Sequence, residues 1–267
     1  MRTYTSADFE ASQTANHTLL IRAGEFGNAV AIVDNRQRLQ FVAEYGPAEI
    51  PHEMQALLQS DYSAVRIGIP NGRFAFIPAE VFDDAEAATY KHYLPDDGLA
   101  ALTVADIADL DIKLVHQTPA LGLAAWQQRF PQARIHPNIE AMLGSLSGYG
   151  RQTEGTVVAV DRYGSFTSIC VFHKGKFVYG NDFETHSAGD LNYYLLKVLR
   201  HLGVETAVSL YLSGDVEQGD PYHQHLSKYT GEVVFADTAQ LTGVTIPDEL
   251  LPVQHRFLTL IGLLSCV

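Results

Sequence analysis

Short apolar, β-prone runs recur along the 267-residue chain, separated by turns that carry glycine or asparagine. Thr18–Gly24 and Ala29–Val33 flank the turn Glu25-Phe26-Gly27-Asn28, and the polar Asn35-Arg36-Gln37 leads into a third run, Leu39–Tyr45. Apolar, β-prone runs of this length, bounded by turn residues, predict strands. Beyond Pro47 and Pro51 the spacing turns helical over about 51–60, then returns to a buried strand at Val65–Ile69. The second half replays this order. Thr156–Asp161, Ser165–Phe172 and Phe177–Phe183 predict strands joined by turns at Arg162-Tyr163-Gly164 and Lys174-Gly175. Ser187 is placed to cap a helix over about 188–202, and Ala207–Leu212 reads as the next buried strand. Each half therefore reads β-β-β-α-β, with Gly27 and Gly164 at matching turns 137 positions apart. Side-chain identity between the halves is low, so order and spacing carry the duplication.

Between the repeats lies an insert of about 71–118. Phe74–Ile77 predicts a strand, Pro78–Leu94 a helix and Asp111–His116 another strand. An amphipathic helix, Pro119–Phe130, a short strand at Arg134-Ile135-His136 and a helix over Asn138–Leu146 follow. Gly144–Gly155 is rich in glycine and serine, a composition suited to a flexible hinge. It divides the chain into an N-terminal lobe, 1–150, and a C-terminal lobe, 151–267. Pro221–Tyr229 then predicts a helix, Glu232–Ala236 a strand and Pro252–Val267 a closing helix.

Charge narrows the function classes. Asp and Glu number 31 against 18 Lys and Arg, a formal net charge of −13. Such an acidic chain argues against a nucleic-acid binder, whose affinity rests on clustered bases. Two cysteines, Cys170 and Cys266, make no disulfide framework and lie in apolar segments, where they read as small buried hydrophobes in a reducing compartment. Met1–Asn16 is polar, without the apolar core of a signal peptide, and no apolar run has the roughly 20 residues a bilayer needs. A cytoplasmic protein with no membrane span is expected, which makes the sequon Asn16-His17-Thr18 a chance match.

Simple catalytic motifs are absent: no His-Glu-x-x-His, Gly-x-Ser-x-Gly or Gly-x-x-x-x-Gly-Lys-Ser/Thr occurs. Among 11 histidines, His223 and His225 stand two apart and would diverge on a helix, so they read as a solvated face rather than a metal pair. Trp126, with Leu121, Ala125 and Phe130, reads as core. The aromatic start of the 188–202 helix, Asp190–Leu196, reads as core or lobe interface, with an exposed partner surface as the alternative. Acids at Asp83-Asp84, Asp96-Asp97 and Asp106–Asp111 read as solvated turns and helix starts.

Five segments together carry a family resemblance. They are Leu19-Leu20-Ile21-Arg22 through Glu44-Tyr45, Phe76-Ile77-Pro78-Ala79-Glu80-Val81-Phe82, Arg129-Phe130-Pro131-Gln132-Ala133, Leu212-Ser213-Gly214 and His255-Arg256-Phe257. Over about 16–264 the chain resembles a family of bacterial proteins, domain of unknown function 3822, in the actin-like ATPase superfamily of sugar kinases, actin and chaperone ATPases. The resemblance implies a duplicated α/β, ribonuclease H-like fold whose lobes hold Mg–ATP in the cleft between them. Two Asp-x-Gly hairpin turns would offer backbone N–H groups to phosphates, and their aspartates would face Mg²⁺. The second hairpin offers Asp161-Arg162-Tyr163-Gly164-Ser165, so Asp161 is the metal-facing and catalytic candidate if the protein is active; the same residues also suit an ordinary hairpin turn. The first offers Gly24-Glu25-Phe26-Gly27-Asn28 but no aspartate at the end of its first strand, with Glu25 a misplaced substitute. Nucleotide-binding candidates are thus Gly24, Gly27, Asp161, Gly164, Ser165 and Gly214, Gly214 being single where the adenine-contacting motif has a pair. Ile261-Gly262-Leu263 resembles the small-residue step of the final helix. Loss of one phosphate-loop carboxylate disables hydrolysis before binding. The expectation is a non-hydrolysing binding or scaffold protein, with an unknown protein or small molecule as partner and Mg–ATP the one cofactor to consider. The alternative is a Mg–ATP-using ATPase or small-molecule kinase.

Overall fold

Alternating side chains of the opening strands are covered on both faces, and this sets the layers. The computed structural model describes residues 2–47, 50–94, 101–118, 120–204, 209–228 and 231–266. In the first lobe β1 (Arg2–Thr5), β2 (Thr18–Arg22), β3 (Asn28–Val33) and β4 (Leu39–Tyr45) precede α1 (His52–Gln59) and β5 (Ala64–Ile69). An inserted sheet of β6 (Arg73–Pro78), β7 (Ala101–Ile107) and β8 (Ile112–Thr118) follows, then α2 (Ala120–Arg129), β9 (Arg134–Pro137) and α3 (Asn138–Gln152). The first sheet runs β1-β4-β3-β2-β5-β9, antiparallel up to β2 and parallel beyond it. The second half supplies β10 (Thr156–Tyr163), β11 (Phe166–His173), β12 (Lys176–Glu184), α4 (Ala188–His201), β13 (Ser209–Gly214), α5 (Pro221–Leu226), β14 (Val233–Phe235), α6 (Thr238–Thr242) and α7 (Leu258–Gly262). Its sheet runs β12-β11-β10-β13-β14, again an antiparallel meander joined to parallel strands.

Leu19 and Ile21 of β2 point to one face with Val30, Ile32, Met54 and Leu58, whereas Leu20 points to the other, against Leu260, Ile261 and Leu263. In β10, Val158 and Val160 meet Leu191, Leu195 and Val198 of α4, whereas Val157 and Ala159 meet Met142, Leu143 and Leu146 of α3. The period of two therefore sends Arg22, next on the Leu20 face, and Asp161, next on the Ala159 face, into the layer between the sheets. That layer holds α3 and α7. Gly262 lies against the Ala141 carbonyl and the Ser145 hydroxyl of α3, leaving no room for a Cβ, in keeping with the small residue the resemblance implied there. The α4 N-terminus is closed by a capping box between Ser187 and Asp190.

Several expectations change. The presumed hinge Gly144–Gly155 is helix as far as Gln152. Two of its glycines serve close packing: a Cβ on Gly144 would strike Ser265 and one on Gly150 the Phe172 ring. Pro78–Leu94 is not α-helical but forms 3₁₀ segments, Ala79–Val81 and Asp84–Tyr93. The closing helix divides into a 3₁₀ segment Asp248–Phe257, α7 and the 3₁₀ turn Leu263–Ser265. β1 and β7 had no sequence signal strong enough to place them. Ala207 and Tyr229, at the predicted ends of a strand and a helix, fall outside the described residues, as do Asp96 and Asp97. Among the described residues no helix is long and apolar enough to cross a membrane.

Candidate site between the lobes

Hairpin register shows which residues the duplication makes equivalent. Arg22 pairs with Ala29 and Asp161 with Ser168, each pair enclosing six residues. The halves therefore match at an offset of 139, and the strand-end position occupied by Asp161 in the second lobe is held by Arg22 in the first. The turn glycines Gly27 and Gly164 do not superpose in this register. Glu25, the suggested substitute carboxylate, is exposed.

Arg22 is 1% exposed. Its guanidinium lies 4.1 Å from the centre of the Tyr163 ring, 3.8 Å from Glu44 Oε1, and donates to Thr259 Oγ1 at 3.2 Å. Arg256 continues the chain of charges, reaching Glu44 Oε2 at 3.4 Å and Asp215 Oδ1 at 2.8 Å. The other Asp215 oxygen accepts from the Gly164 N–H at 3.3 Å. The backbone donor that a phosphate loop would turn to its ligand is thus directed at the protein's own carboxylate. Arg162, the base in this turn, faces away: its guanidinium stacks 3.9 Å over Tyr222 and donates to the Asp215 carbonyl.

Aromatic side chains close the space between the two turns. The Tyr163 hydroxyl donates to the Gly27 carbonyl at 2.5 Å, and the Tyr163 ring stands where a Cβ on Gly24 would be. Phe26 lies over Gly164, whose φ of +61° and lack of Cβ admit that ring, with Phe166 6.1 Å beyond it. Ser165 is half-buried, and its carbonyl accepts from Thr185 N–H at 2.6 Å. Gly214 has φ +82° with the Arg162 carbonyl where a Cβ would go, so close approach of strand ends explains it. The structure brings Gly24, Gly27, Asp161, Gly164 and Gly214 together around Tyr163 and Arg162.

Asp161 is buried and accepts from Ser213 Oγ at 2.6 Å. It belongs to a polar row across four strands, Ser213–Asp161–Ser168–Asp182, set by the ladder register. Ser168 donates to Asp182 at 2.6 Å, and Asn71 of the first lobe donates to the same carboxylate at 2.6 Å while accepting from Ile139 N–H. Burial pushes the Asp161 carboxyl up; the Ser213 hydroxyl and the Arg22 charge oppose this, and Asp215 adds to it. Burial also raises Asp182, with the Asp161 charge contributing. From sequence, Arg22, Glu44 and Arg256 stand only within the segments that carry the resemblance, and neither they nor Asp215 are given a place in the site. A charged residue ending an otherwise apolar strand, as Arg22 does, was the available signal. A cavity of about 900 Å³ lies beside the first hairpin, but its lining, including Gly24, Pro70, Trp126 and Arg129, falls between Ala23 and Arg129 and so within the first lobe alone.

Other candidates resolve simply. Cys170 and Cys266 are buried thiols, Trp126 packs on the first core, and His223 stacks on Phe235. Tyr194 stacks on Phe183, while Tyr193 is exposed.

Comparison with known proteins agrees with this architecture. The family model described as Protein of unknown function (DUF3822) matches residues 6–233. A Bacteroides thetaiotaomicron protein with actin-like ATPase fold and unknown function is similar in structure, with 18% identity, a TM-score of 0.76, and 97% of this chain and 99% of that one covered. A chain of the PilM–PilN type IV pilus biogenesis complex is also similar, with 13% identity, a TM-score of 0.67, and 92% and 97% covered. No curated protein matches the sequence. The fold is that of the actin-like ATPases.

Proposed function

We propose that this chain, which belongs to the DUF3822 family, is a cytoplasmic binding or scaffold protein that has kept the actin-like architecture and does not turn over ATP. One observation carries the reading: an arginine fills the strand-end position equivalent to Asp161, and Asp215 takes the turn N–H that a phosphate would need. An ATP site gathers cationic and N–H donors around several phosphate charges. Here those donors are already paired with Glu44 and Asp215, and Phe26 and Tyr163 occupy the space between the turns. A protein partner is favoured over a small molecule, since a structural relative is described as part of a PilM–PilN complex. In this reading the lobes divide near residue 150, with the closing segment returning to the first sheet.

Asp161 itself favours a second reading, a Mg–ATP-dependent ATPase or kinase in which Asp161 faces the metal and Gly24, Gly27, Gly164, Ser165 and Gly214 surround the nucleotide. Thermal shift with Mg–ATP and Mg–ADP separates the two. Ligand at about 100 times its dissociation constant stabilises by about 2.7 kcal/mol. No shift at millimolar nucleotide is expected. A saturable shift lost in Asp161→Ala, together with phosphate release, would establish the enzyme. A shift without phosphate release would retain the non-hydrolysing protein but refute the closed cleft.

A further inference from the structure

A second constellation lies away from the cleft, where β9 hands over to α3. His136, one residue before the end of β9, and Glu140, in the first turn of α3, are four apart, with Nδ1 3.0 Å from Oε1. Cys266, just after the last 3₁₀ turn, reaches the same spot from the other end of the chain. One ligand atom from each of the three lies within 4.8 Å of the others, and all three residues are at most 6% exposed. The cysteine is held there by structure: Arg66 of β5 donates to the carbonyls of Leu263 at 2.7 Å, Leu264 at 2.6 Å and Cys266 at 2.6 Å. His136 Nε2 is buried without a hydrogen-bond partner, a costly state for an imidazole nitrogen. His116, buried on β8, is within electrostatic range of both His136 and Glu140.

We propose that His136, Glu140 and Cys266 bind a zinc-type divalent cation, with His116 or a water in the fourth position, and that the ion ties the 263–266 segment to the first lobe. The donor set selects the ion. Sulfur, imidazole nitrogen and carboxylate oxygen together suit Zn²⁺, whereas Mg²⁺ and Ca²⁺ take oxygen ligands. Bond lengths of about 2.0–2.3 Å around a tetrahedral zinc place ligand atoms roughly 3.3–3.7 Å apart. The His136 Nδ1–Glu140 Oε1 spacing is already short enough and no two of the three ligand atoms are more than 4.8 Å apart, so closure needs only small side-chain movements. Binding releases the thiol proton to water, and thiolate plus carboxylate then neutralise the 2+ charge.

The test uses the full chain stripped of metal and titrated with Co²⁺, which reports thiolate ligation through a sulfur-to-cobalt charge-transfer band in the near ultraviolet. One equivalent should produce the band, and Zn²⁺ should displace it. Cys266→Ser should abolish it and Glu140→Gln should weaken binding by at least about tenfold. Zn²⁺ should also raise the melting temperature of the wild type and leave that of Cys266→Ser unchanged, a comparison that holds even if the variant is less stable without metal. No band in the wild type, a band that survives in Cys266→Ser, or equal Zn²⁺-induced rises in both proteins would overturn the site.

Discussion

Arg22→Met tests the charge network that closes the cleft. Methionine keeps the length of the stem and removes only the guanidinium, so packing along the Leu20 face is largely preserved. Removing one partner of a buried ion pair costs about 3–5 kcal/mol, because the other charge is left uncompensated. Glu44 would retain Arg256 at 3.4 Å and is 17% exposed, which places the loss at the lower end. The cation–π contact with Tyr163 adds to it, on the order of 1 kcal/mol. A total near 3–4 kcal/mol, at about 2 °C or slightly more per kcal/mol for a chain of this length, lowers the melting temperature by about 6–10 °C. Calorimetry or circular dichroism measures this directly. Glu44→Gln added to Arg22→Met should restore about 1 kcal/mol or more, since the orphaned carboxylate is then gone. A fall below about 2 °C for Arg22→Met, or strict additivity of the two substitutions, would refute the network as a source of stability.

Two other substitutions probe the same strand ends. Asp161→Asn should raise the melting temperature at neutral pH, because burial disfavours the carboxylate while an amide oxygen can still accept from Ser213. With the folded-state pKa above the unfolded one, the cost of the charge is present at neutral pH and fades as pH falls through the folded value, so the gap to wild type should close towards about pH 4; a destabilised variant at pH 7 would contradict this. Gly214→Ala should cost more than the about 1–2 kcal/mol of left-handed backbone strain alone, since its Cβ would also strike the Arg162 carbonyl. Gly243→Ala, at φ +71° with open space around it, supplies the strain-only comparison by urea midpoint.

The repeat was legible because both halves bury their strands on two faces, which makes apolar runs such as Ala29–Val33 and Thr156–Asp161 nearly continuous. Short edge or peripheral strands lack that signal. β1 is an edge strand beside β4, and the Ala101–Ile107 strand runs into the acids Asp106, Asp109 and Asp111, which resemble a turn. Gly144–Gly155 misled for a physical reason: glycine and serine serve close helix packing as well as flexible linkers, and only the position of Ser265 and Phe172 distinguishes the two. In the candidate site, Asp161, Gly164 and Gly214 could be placed from turn chemistry, whereas Glu44, Asp215 and Arg256 could not. These three come together only when β4, the end of β13 and the segment before α7 converge. His136 and Glu140 were likewise hidden, because their i, i+4 spacing crosses a strand–helix junction and their third member is 126 residues downstream.

Under the proposed binding or scaffold role, Arg22 also stabilises the space between the lobes without a bound cation. In this architecture two strand ends face each other across the central layer, so like charges there repel unless a cation or a ligand lies between them. Two aspartates at those positions would require such a cation. One aspartate and one arginine do not, since the Arg22 charge already lowers the cost of the buried Asp161 carboxylate. Arg22 therefore supplies an attraction between the lobes, reinforced by Tyr163 on Gly27 and by α3 packed into both halves. Lobes held in this way have little reason to open and close around a nucleotide. That favours a role in which the surface of the assembled molecule, rather than movement of its cleft, does the binding.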